Sequence, residues 1–372
     1  MSESLQEKSN KRVLILANND VGLYRFRKDL IAAFLNAGHE VYISLPDGDF
    51  VSELVKLGCR FLDTPIDRRG MNPLRDGRLF RRYCAILKEI EPDLVITYTI
   101  KPNIYGGIAC RIAHIPYAAN ITGLGSAIEN GGWLKKFVLA LYKPALKCAK
   151  AVFFENSENR QIFIDEKIVK EEKTYLLNGA GVNLSHFRVL EYPEDDSVTR
   201  FLFIGRVMKE KGIDELFSAM QHLVSEGYNC SLDVLGGYEE DYKEIFEKYE
   251  GEGWLHYHGY QKDVRPYIEK CHCFVLPSWH EGMANTNLEC AASGRPVITS
   301  NINGCLEAVE DGVSGYLCEK KNADNLYQVM KKFVMLPCDV RKAMGLAGRK
   351  HMENLFDKRV VVRETIEAIG MR

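Results

Sequence analysis

Short apolar runs recur along the chain and alternate with segments that have the spacing of amphipathic helices. Such an alternation from one end of a chain to the other is typical of parallel sheets with helices on both faces. The sequence therefore predicts an α/β protein with doubly wound sheets. The predicted strands cover residues 12–17, 39–44, 93–97 and 151–154 in the first half, and 201–204, 231–235, 273–276 and 296–299 in the second.

The chain has 372 residues, which is enough for two domains of ordinary size, each with its own core. Segment 183–196 contains Pro193 followed by acidic residues, a composition typical of a linker. We therefore predict an N-terminal domain over residues 1–185 and a C-terminal domain over residues 186–356, with a cleft between them.

The composition is that of a soluble globular protein, with 46% hydrophobic and 27% charged residues and a formal net charge of −2. No apolar run approaches the roughly 20 residues that a transmembrane helix needs, and the polar first residues lack a signal-peptide core. Eleven cysteines are scattered singly, which fits a reducing compartment better than a disulfide framework. We expect a cytoplasmic protein.

One cluster has the composition of a metal site, namely Cys271, His272 and Cys273. Alternation along a buried strand explains this cluster without a metal, and no second Cys/His pair lies at zinc-ligand spacing. No metal site is predicted.

Segment 274–289 contains two glutamates, Glu281 and Glu289, around a loop with Gly282. The apolar run 273–276 predicts a buried strand that leads into this loop, and a helix is predicted after it. Ligands of parallel sheets bind beyond the carboxyl ends of the strands. One carboxylate is therefore expected in the loop and the other about one turn inside the helix.

The residues that would begin this helix are Asn285 and Thr286. We expect unpaired backbone amides at Met283, Ala284 and Asn285, which would form an anion site at the helix N-terminus. Amides that hold a phosphate and carboxylates that accept sugar hydroxyls would suit a sugar phosphate. Taken alone, the segment is equally compatible with an ordinary helix cap and a solvated glutamate.

A second strand–loop–helix pattern at 201–214 supplies two cations. Arg206 follows the strand directly after Gly205, and Lys211 stands beside Gly212 at the helix entry. Each of these side chains could simply be solvated. Two cations directed at one place are, however, what a departing diphosphate requires.

Together the two patterns resemble the donor domain of retaining GT-B glycosyltransferases, in the large family 4-like group with a Glu-x7-Glu signature. The resemblance covers nearly the whole chain and is most specific in the second half. It is carried there by Gly205-Arg206, Lys211-Gly212, Leu235-Gly236-Gly237, His258-Gly259-Tyr260, Asp263-Val264, Glu281-Gly282 to Glu289, Gly294-Arg-Pro-Val297 and Asp311-Gly312 to Gly315.

The resemblance implies a GT-B architecture of two Rossmann-like domains that face each other across a cleft, with segment 357–372 returning to the first domain. It implies catalytic roles for Arg206, Lys211 and Glu281. Glu281 would hold hydroxyls of the transferred sugar, Glu289 the ribose hydroxyls, and the backbone near Tyr260 the base. The implied donor-binding set is Gly22, Gly205, Gly236, Tyr260, Gly282, Met283, Ala284, Asn285, Thr286 and Glu289.

The resemblance also implies retention of anomeric configuration by front-face attack, in which the donor phosphate takes the acceptor proton. Because Arg206, Lys211 and helix amides would stabilise the leaving group, no cofactor and no metal are expected, with a UDP-sugar as co-substrate. Asp47 and Asp49 superficially resemble the metal-binding carboxylate pair of a different glycosyltransferase fold. Their position directly after a strand is turn chemistry instead.

The first half resembles the branch of the family that builds capsular and other surface polysaccharides, where sugars are added to polyprenyl-diphosphate-linked glycans. The resemblance is carried by segments 18–27, 97–106 and 120–126. Gly22, in a loop at a strand end, would let the backbone approach donor or acceptor closely, and Gly123 and Gly125 would do the same across the cleft. The implied acceptor-side residues are Asn120, Thr122 and Gly123. Many relatives have His where this chain has Thr122, which puts the role of that His in doubt here.

Basic charge is concentrated in residues 65–150, which hold fourteen Lys and Arg against six acids, a net of +8 that leaves −10 for the remainder. This asymmetry suggests an anionic partner for the first domain. No motif or aromatic-plus-basic stripe indicates nucleic acid. A predicted helix places Trp133, Leu134, Phe137 and Leu141 near one another, with lysines beside them. This helix suits either an anionic membrane surface or core packing with solvated lysines, and the cluster from Arg68 to Arg82 adds weight to the membrane surface.

These expectations describe a retaining hexosyltransferase that moves a hexose or N-acetylhexosamine from a UDP-sugar to a lipid-linked saccharide at the inner face of the plasma membrane. Two alternatives stay open. One is a nucleotide-sugar 2-epimerase or hydrolase of the same fold, which would need no acceptor. The other is a non-catalytic, nucleotide-sugar-binding membrane scaffold.

Overall fold

The computed structural model describes residues 10–67, 70, 72–123, 132–194 and 197–371, without the side chain of Trp133. Predictions that involve Arg68, Arg69 and Gly125 fall outside this range. The chain divides into two compact units. Unit 1 comprises Met1–Ala180 with Arg359–Arg372, and unit 2 comprises Gly181–Lys358.

Within the described residues, unit 1 contains a seven-stranded parallel sheet. Its strands are β1 (Arg12–Leu16), β2 (Glu40–Leu45), β3 (Arg60–Asp63), β4 (Leu94–Tyr98), β5 (Tyr117–Ile121), β6 (Ala151–Phe154) and β7 (Thr174–Leu176). Their order is β3-β2-β1-β4-β5-β6-β7, with Val13 opposite both Val41 and Leu94. All residues of β4 and β5 are buried. β4 was predicted from its apolar run, whereas β5, which contains Asn120, was not predicted.

The helices of unit 1 pack on both faces of this sheet. They are α1 (Asp20–Asn36), α2 (Val51–Leu57), α3 (Pro73–Ile90), α4 (Gly107–Ala113, preceded by a π-helical turn at Pro102–Gly106), α5 (Gly132–Leu146) and α6 (Ser157–Asp165), with a 3-10 turn at Glu171–Lys173. Asn19 caps α1 by accepting the amide of Gly22 (2.6 Å), and Asn72 caps α3 by accepting the amide of Leu74 (3.0 Å).

Unit 2 contains a six-stranded parallel sheet in the described residues, in the order β10-β9-β8-β11-β12-β13. The strands are β8 (Thr199–Ile204), β9 (Cys230–Leu235), β10 (Leu255–Tyr257), β11 (Cys273–Leu276), β12 (Val297–Ser300) and β13 (Gly315–Cys318). The helices are α7 (Ile213–Ser225), α8 (Lys243–Gly251), α9 (Arg265–Lys270), α10 (Asn285–Ala292), α11 (Ala323–Val334) and α12 (Cys338–Leu355), with 3-10 turns at Lys209–Lys211 and Leu306–Ala308.

The last helix, α13 (Lys358–Ala368), follows unit 2 in the chain but packs in unit 1. Val361, Ile369 and Met371 are buried there in one cluster with Leu30 and Phe34 of α1. Part of the core of unit 1 is therefore supplied by the end of the chain. No helix in the described residues combines the length and the apolar content needed to cross a membrane.

The prediction of a linker at 183–196 is wrong for the described residues 183–194, because this segment packs on unit 2. The amide of Leu190 donates to the carbonyl of Ser293 (3.1 Å), and the buried Tyr192 donates its hydroxyl to the carbonyl of His272 (2.9 Å). The chain passes from unit 1 to unit 2 at residues 180–181, five residues before the predicted position.

Candidate active site

The loops that carry the predicted cations and carboxylates follow two adjacent strands of unit 2. β8 and β11 are neighbours in the sheet, and the strand order runs in opposite directions to either side of them. Such a switch point is where parallel α/β sheets bind ligands, beyond the carboxyl ends of the strands. Arg206 follows β8 and Glu281 follows β11.

Lys211 and Glu281, seventy residues apart, form an ion pair at this switch point. The exposed fractions of their side chains are 17% and 13%, and the hydroxyl of Ser278 also donates to the Glu281 carboxylate (2.7 Å). Gly212 makes the approach possible, because it has a φ of 73° and a Cβ there would lie 2.1 Å from the carbonyl oxygen of Pro277. The structure thus brings together two of the three predicted catalytic residues.

Arg206 has a different neighbour. Its side chain is 52% exposed, and its Nη1 lies 3.7 Å from a carboxylate oxygen of Glu239. Glu239 belongs to the loop after β9, and its amide donates to the carbonyl of Val207 (3.0 Å). Glu239 could not be selected from the sequence, because its partner lies on a different loop.

Three predicted glycine motifs meet at the neighbouring strand ends. The amide of Gly205 donates to the carbonyl of Leu235 (2.9 Å), and that of Gly236 donates to the carbonyl of Gly259 (2.8 Å). Gly236 has a φ of 143°, and a Cβ at this position would lie 1.7 Å from the carbonyl oxygen of Gly205. Tyr260, next along this edge, is 52% exposed.

The predicted anion site at the start of α10 is wrong in part. The amide of Ala284 donates to the carbonyl of Gly304 (2.7 Å), and that of Asn285 donates to the carbonyl of Met283 (3.0 Å). The helix begins at Asn285, as predicted, but its N-cap position is Ala284 and no side chain caps it. Two of the three amides expected to be unpaired are therefore used within the protein.

Asn285, Thr286 and Glu289 are partly exposed on α10, whereas Met283 and Ala284 before the helix are buried. Residues three and four apart share a helix face, so Glu289 lies on the same side of α10 as Asn285 and Thr286. Glu289 is the fifth residue of the helix, as predicted from the spacing.

A loop after β12 completes this part of the site and was not predicted. Besides accepting the Ala284 amide, Gly304 lies so close that a Cβ would be 2.6 Å from the carbonyl oxygen of Glu281. The amide of Gly304 donates to the carboxylate of Glu307 (2.8 Å), and burial raises the pKa of Glu307. The sequence offers no periodicity or motif that links this loop to Glu281.

Residues predicted to bind ligand in the first half lie in unit 1. Gly22 is in the first turn of α1 rather than in a loop, and its amide is taken by Asn19. Asn120 is buried within β5, where its carbonyl accepts from Asn103 (2.8 Å), so its side chain is not a surface group. Thr122 and Gly123 follow β5 and are partly exposed, and Gly123 has a φ of 142°.

The carboxyl edge of unit 1 also holds a buried ion pair that the sequence did not indicate. Arg27 of α1 pairs with Glu155 after β6, and its guanidinium lies 5.0 Å from the centre of the Tyr98 ring. Burial raises the pKa of Glu155. Thr99, next after β4, has a φ of 71°, which is rare for a β-branched residue.

The Cys271, His272 and Cys273 cluster is part of the core of unit 2. The Nδ1 of His272 accepts the amide of Arg200 (3.0 Å), and burial raises the pKa of Cys271 to about 12. In the part of the chain that the structure describes, no group of three or more His, Cys, Asp or Glu side chains is arranged to hold a metal.

A separate cleft of about 400 Å³ lies between segment 185–190 and the start of α9, with Ser293 at one side. Its lining includes none of the predicted site residues.

Two family models match the chain, one for each half. Residues 12–156 match the model described as glycosyl transferase 4-like, and residues 189–351 match glycosyl transferases group 1.

The chain is 27% identical to the N,N'-diacetylbacillosaminyl-diphospho-undecaprenol alpha-1,3-N-acetylgalactosaminyltransferase of Campylobacter jejuni, over 96% of this chain and 97% of that protein. It is 28% identical to the capsular polysaccharide biosynthesis glycosyltransferase CapM of Staphylococcus aureus, over 78% and 81% of the two chains. Among solved structures, Anabaena HepE in complex with UDP and glucose superposes with a TM-score of 0.81 at 16% identity, covering 98% and 100%.

Proposed function

Because the chain belongs to the group 1 glycosyltransferases and has the GT-B fold, we propose that it transfers a hexose or N-acetylhexosamine from a UDP-sugar to a lipid-linked saccharide, with retention of configuration. The acceptor is a polyprenyl-diphosphate-linked glycan of surface polysaccharide biosynthesis. The observation that carries the proposal is the Lys211–Glu281 pair at the switch point of unit 2, beside the helix that bears Glu289.

The donor site is assigned from the charges at this edge. Breaking the anomeric C–O bond puts positive charge on the sugar and negative charge on the leaving diphosphate. Lys211 and Arg206 are the cations that stabilise the diphosphate, and Glu281 accepts hydrogen bonds from hydroxyls of the sugar. Glu289 binds the ribose hydroxyls, and the backbone near Tyr260 contacts the base.

No residue is assigned as a nucleophile. The donor phosphate takes the proton of the acceptor hydroxyl as the new C–O bond forms, and the diphosphate leaves with the electrons of the old bond. Charge on the diphosphate is balanced by side chains, so the reaction is proposed to need no metal. Lys211→Met removes one such cation and should lower kcat by about 10²–10³.

The acceptor class rests on the relatives. The Campylobacter protein is named for a diphospho-undecaprenol-linked acceptor, and CapM for capsular polysaccharide. Unit 1 is assigned to the acceptor, with Thr122 and Gly123 at the carboxyl edge of its sheet.

An anionic membrane surface fits the basic side of unit 1. On α3, Arg78 and Arg81 are exposed, and Leu74 is 77% exposed; on α5, Phe137 is 48% exposed. Basic side chains near anionic lipid each contribute about 1 kcal/mol. Leu134 and Leu141 pack against the core, so only part of the predicted apolar side is available to lipid.

The donor assignment is tested by thermal shift with nucleoside diphosphates and nucleotide sugars on wild type, Glu289→Ala and the exposed control Glu247→Ala. A ligand at 100-fold its Kd stabilises the folded protein by about 2.7 kcal/mol. We expect a shift that is specific for UDP compounds, weakened in Glu289→Ala and kept in the control. Absence of any nucleotide shift in folded wild type would contradict the donor site.

Assays of UDP release and product formation distinguish the proposed transferase from a hydrolase or epimerase and from a non-catalytic scaffold. With the best-binding UDP-sugar, we expect UDP release only when a polyprenyl-diphosphate-linked saccharide is added, with the product in the configuration of the donor. Release without acceptor, or isomerisation of the sugar, would identify a hydrolase or epimerase. Binding without turnover on any lipid-linked acceptor would favour a scaffold.

Membrane association is tested by flotation with anionic and zwitterionic vesicles. We expect binding to anionic vesicles that salt weakens and that the double variant Arg78→Glu, Arg81→Glu loses. The matched control reverses Lys342 and Lys350, two exposed cations of unit 2. Equal loss in both double variants would mean that net charge, not α3, controls binding.

A further inference from the structure

Arg295 is a fully buried cation in the turn between α10 and β12, with 0% of its surface exposed. Its guanidinium donates to the carbonyls of Ile268 (2.8 Å), Glu269 (3.0 Å) and Leu190 (3.2 Å), and to that of Glu191. Within the described residues all of its acceptors are backbone carbonyls. A buried charge is tolerated only when its donors are satisfied, and here carbonyl dipoles satisfy them.

The carbonyls around the Arg295 guanidinium belong to three segments, which meet at the C-terminal end of α10. The last turn of α9 supplies two of them, and segment 183–194 supplies two more. Longer contacts of 3.4 Å reach the carbonyls of Ser293 and Gly294, directly after α10. Because carbonyls at helix C-termini lack partners and carry partial negative charge, one guanidinium here stabilises two helix ends together.

Arg349 of α12 makes a second connection of the same kind. Its Nη1 donates to the carbonyl of Ala292, the last residue of α10 (2.9 Å), and to that of Phe187 (2.8 Å). One turn earlier on α12, a Cβ at Gly345 would lie 2.1 Å from the carbonyl oxygen of Gly294. The backbone of α12 therefore lies directly against the turn that Arg295 occupies.

The helix held in this way is α10, which carries Glu289. The amide and the hydroxyl of Ser293 both donate to the carbonyl of Glu289, at 3.1 and 2.8 Å. A helix of eight residues has about two turns and is not stable on its own in water, so its direction depends on what holds its ends. At the other end, the amide of Ala284 donates to the carbonyl of Gly304 in the loop after β12 (2.7 Å).

We infer that Arg295 and Arg349 are positioning residues of the donor site. They fix the C-terminal end of α10, and thereby hold Glu289 in the orientation that binds the nucleotide. The inference rests on the proposed role of Glu289 in binding the donor. Neither arginine contacts the reacting atoms, so both act through the helix.

Arg341 offers a matched control for a merely structural role. It is a buried arginine on the same helix as Arg349, 8% exposed, and its guanidinium lies 5.2 Å from the centre of the Phe333 ring. It donates to the hydroxyl of Thr199 in β8 (3.2 Å) and to the carbonyl of Val334 in α11. Its replacement should disturb the core of unit 2 without releasing α10.

The test compares Arg295→Lys, Arg349→Lys and Arg341→Lys in the full chain. Lysine keeps the charge but cannot reproduce the fork of donors. We expect titration calorimetry to show that the first two variants weaken UDP binding by roughly 10- to 100-fold, the loss expected when a hydrogen bond to the Glu289 carboxylate is broken. Hydrogen exchange in the peptide that covers α10 should accelerate in both. Arg341→Lys should lower Tm by a comparable amount but leave UDP binding and hydrogen exchange in α10 near their wild-type values.

The inference is overturned if Arg295→Lys and Arg349→Lys lose Tm but bind UDP and protect α10 as wild type does. It is also overturned if Arg341→Lys weakens UDP binding equally. If Arg295→Lys does not fold, Arg349→Lys decides, because that side chain is partly exposed. Should wild type bind no nucleotide, the proposed function fails, while hydrogen exchange still shows whether the arginines hold α10.

Discussion

Glu307 is a carboxylate that the sequence did not single out and that supports the loop beside Glu281. It accepts the amide of Gly304, and burial raises its pKa above the ordinary value of 4.5. The folded protein therefore binds a proton at this site more tightly than the unfolded chain does. The stabilisation from protonated Glu307 is complete at pH values below the pKa that this carboxyl has in the unfolded chain. It is lost as pH rises through the pKa that the carboxyl has in the folded protein.

This sign gives a prediction for Glu307→Gln. The free energy of unfolding of wild type, relative to this variant, should fall as pH is raised from about 4.5 to 7.5. Urea unfolding at three pH values measures it, with Glu364→Gln as a control that removes an exposed carboxylate of α13. A difference that stays constant with pH would show that Glu307 is not coupled to folding in this way.

At the residue level, position in the fold was predictable where chemistry and strand ends coincide. Lys211 and Glu281 each follow a predicted strand beside a glycine, and strands at a switch point bring such residues together. The amide of Ala284 is a contrary case, because its acceptor, Gly304, belongs to a loop after the next strand. No sequence pattern near Ala284 indicates that Gly304 accepts its hydrogen bond.

At the scale of elements, the loops after β8 and β9 touch backbone to backbone. Gly236 combines a φ of 143° with a position at which any Cβ would overlap the carbonyl oxygen of Gly205. Neither loop could lie where it does with a larger residue at this point. The loop that begins with Arg206 therefore depends on a glycine of the neighbouring strand.

Gly236→Ala should destabilise unit 2 by about 2–5 kcal/mol, since strain at positive φ adds to the overlap with Gly205. It should also weaken UDP binding, because the Arg206 loop must move. Gly237→Ala is the matched control, since a Cβ there meets nothing within 4 Å. Chemical denaturation and calorimetry measure both effects, and equal behaviour of the two variants would refute the argument.

Strands were predictable where burial gives a continuous apolar run; β5 is fully buried but was missed, because Asn120 interrupts its run. Central strands such as β4 and β11 are buried on both faces, so their sequences are continuous apolar runs. The edge strand β3 has exposed and partly exposed residues, and the edge strand β10 has only three residues, so neither has such a run. The prediction of a loop at Gly22 is wrong because α1 already begins at Asp20, directly after its N-cap Asn19.

At the scale of the whole molecule, the chain crosses between the units twice, near residues 180–181 and 358–359. The two crossings lie side by side, because Val182 pairs with Asp357 and a Cβ at Gly181 would lie 2.7 Å from the Cα of Lys358. The returning segment then completes the core of unit 1.

Deleting residues 359–372 should therefore weaken unit 1 rather than unit 2. Val361, Ile369 and Met371 are 3%, 1% and 6% exposed, and burial of such side chains contributes about 1.5–3 kcal/mol each. That loss is comparable with the whole stability of a typical domain. Calorimetry should show an early transition, proteolysis should begin in unit 1, and UDP binding by unit 2 should persist.

A milder form of the same test is Ile369→Ala, directly after α13, with Glu364→Ala on that helix as its control. The first should lower the earlier transition and the second should not. If the deletion lowers both transitions equally, the two units do not unfold independently.

The return of the last helix also sets the order in which a ribosome can finish this molecule. Domains of a nascent chain generally fold as they emerge, with the first one made leading. Here unit 2 is continuous and can fold once residue 358 has emerged, whereas unit 1, although its first residues are translated earlier, needs residues 359–372 as well. Until then the apolar surface of α1 that receives α13 is uncovered, so the first half of the chain exposes apolar surface longer than the second half does.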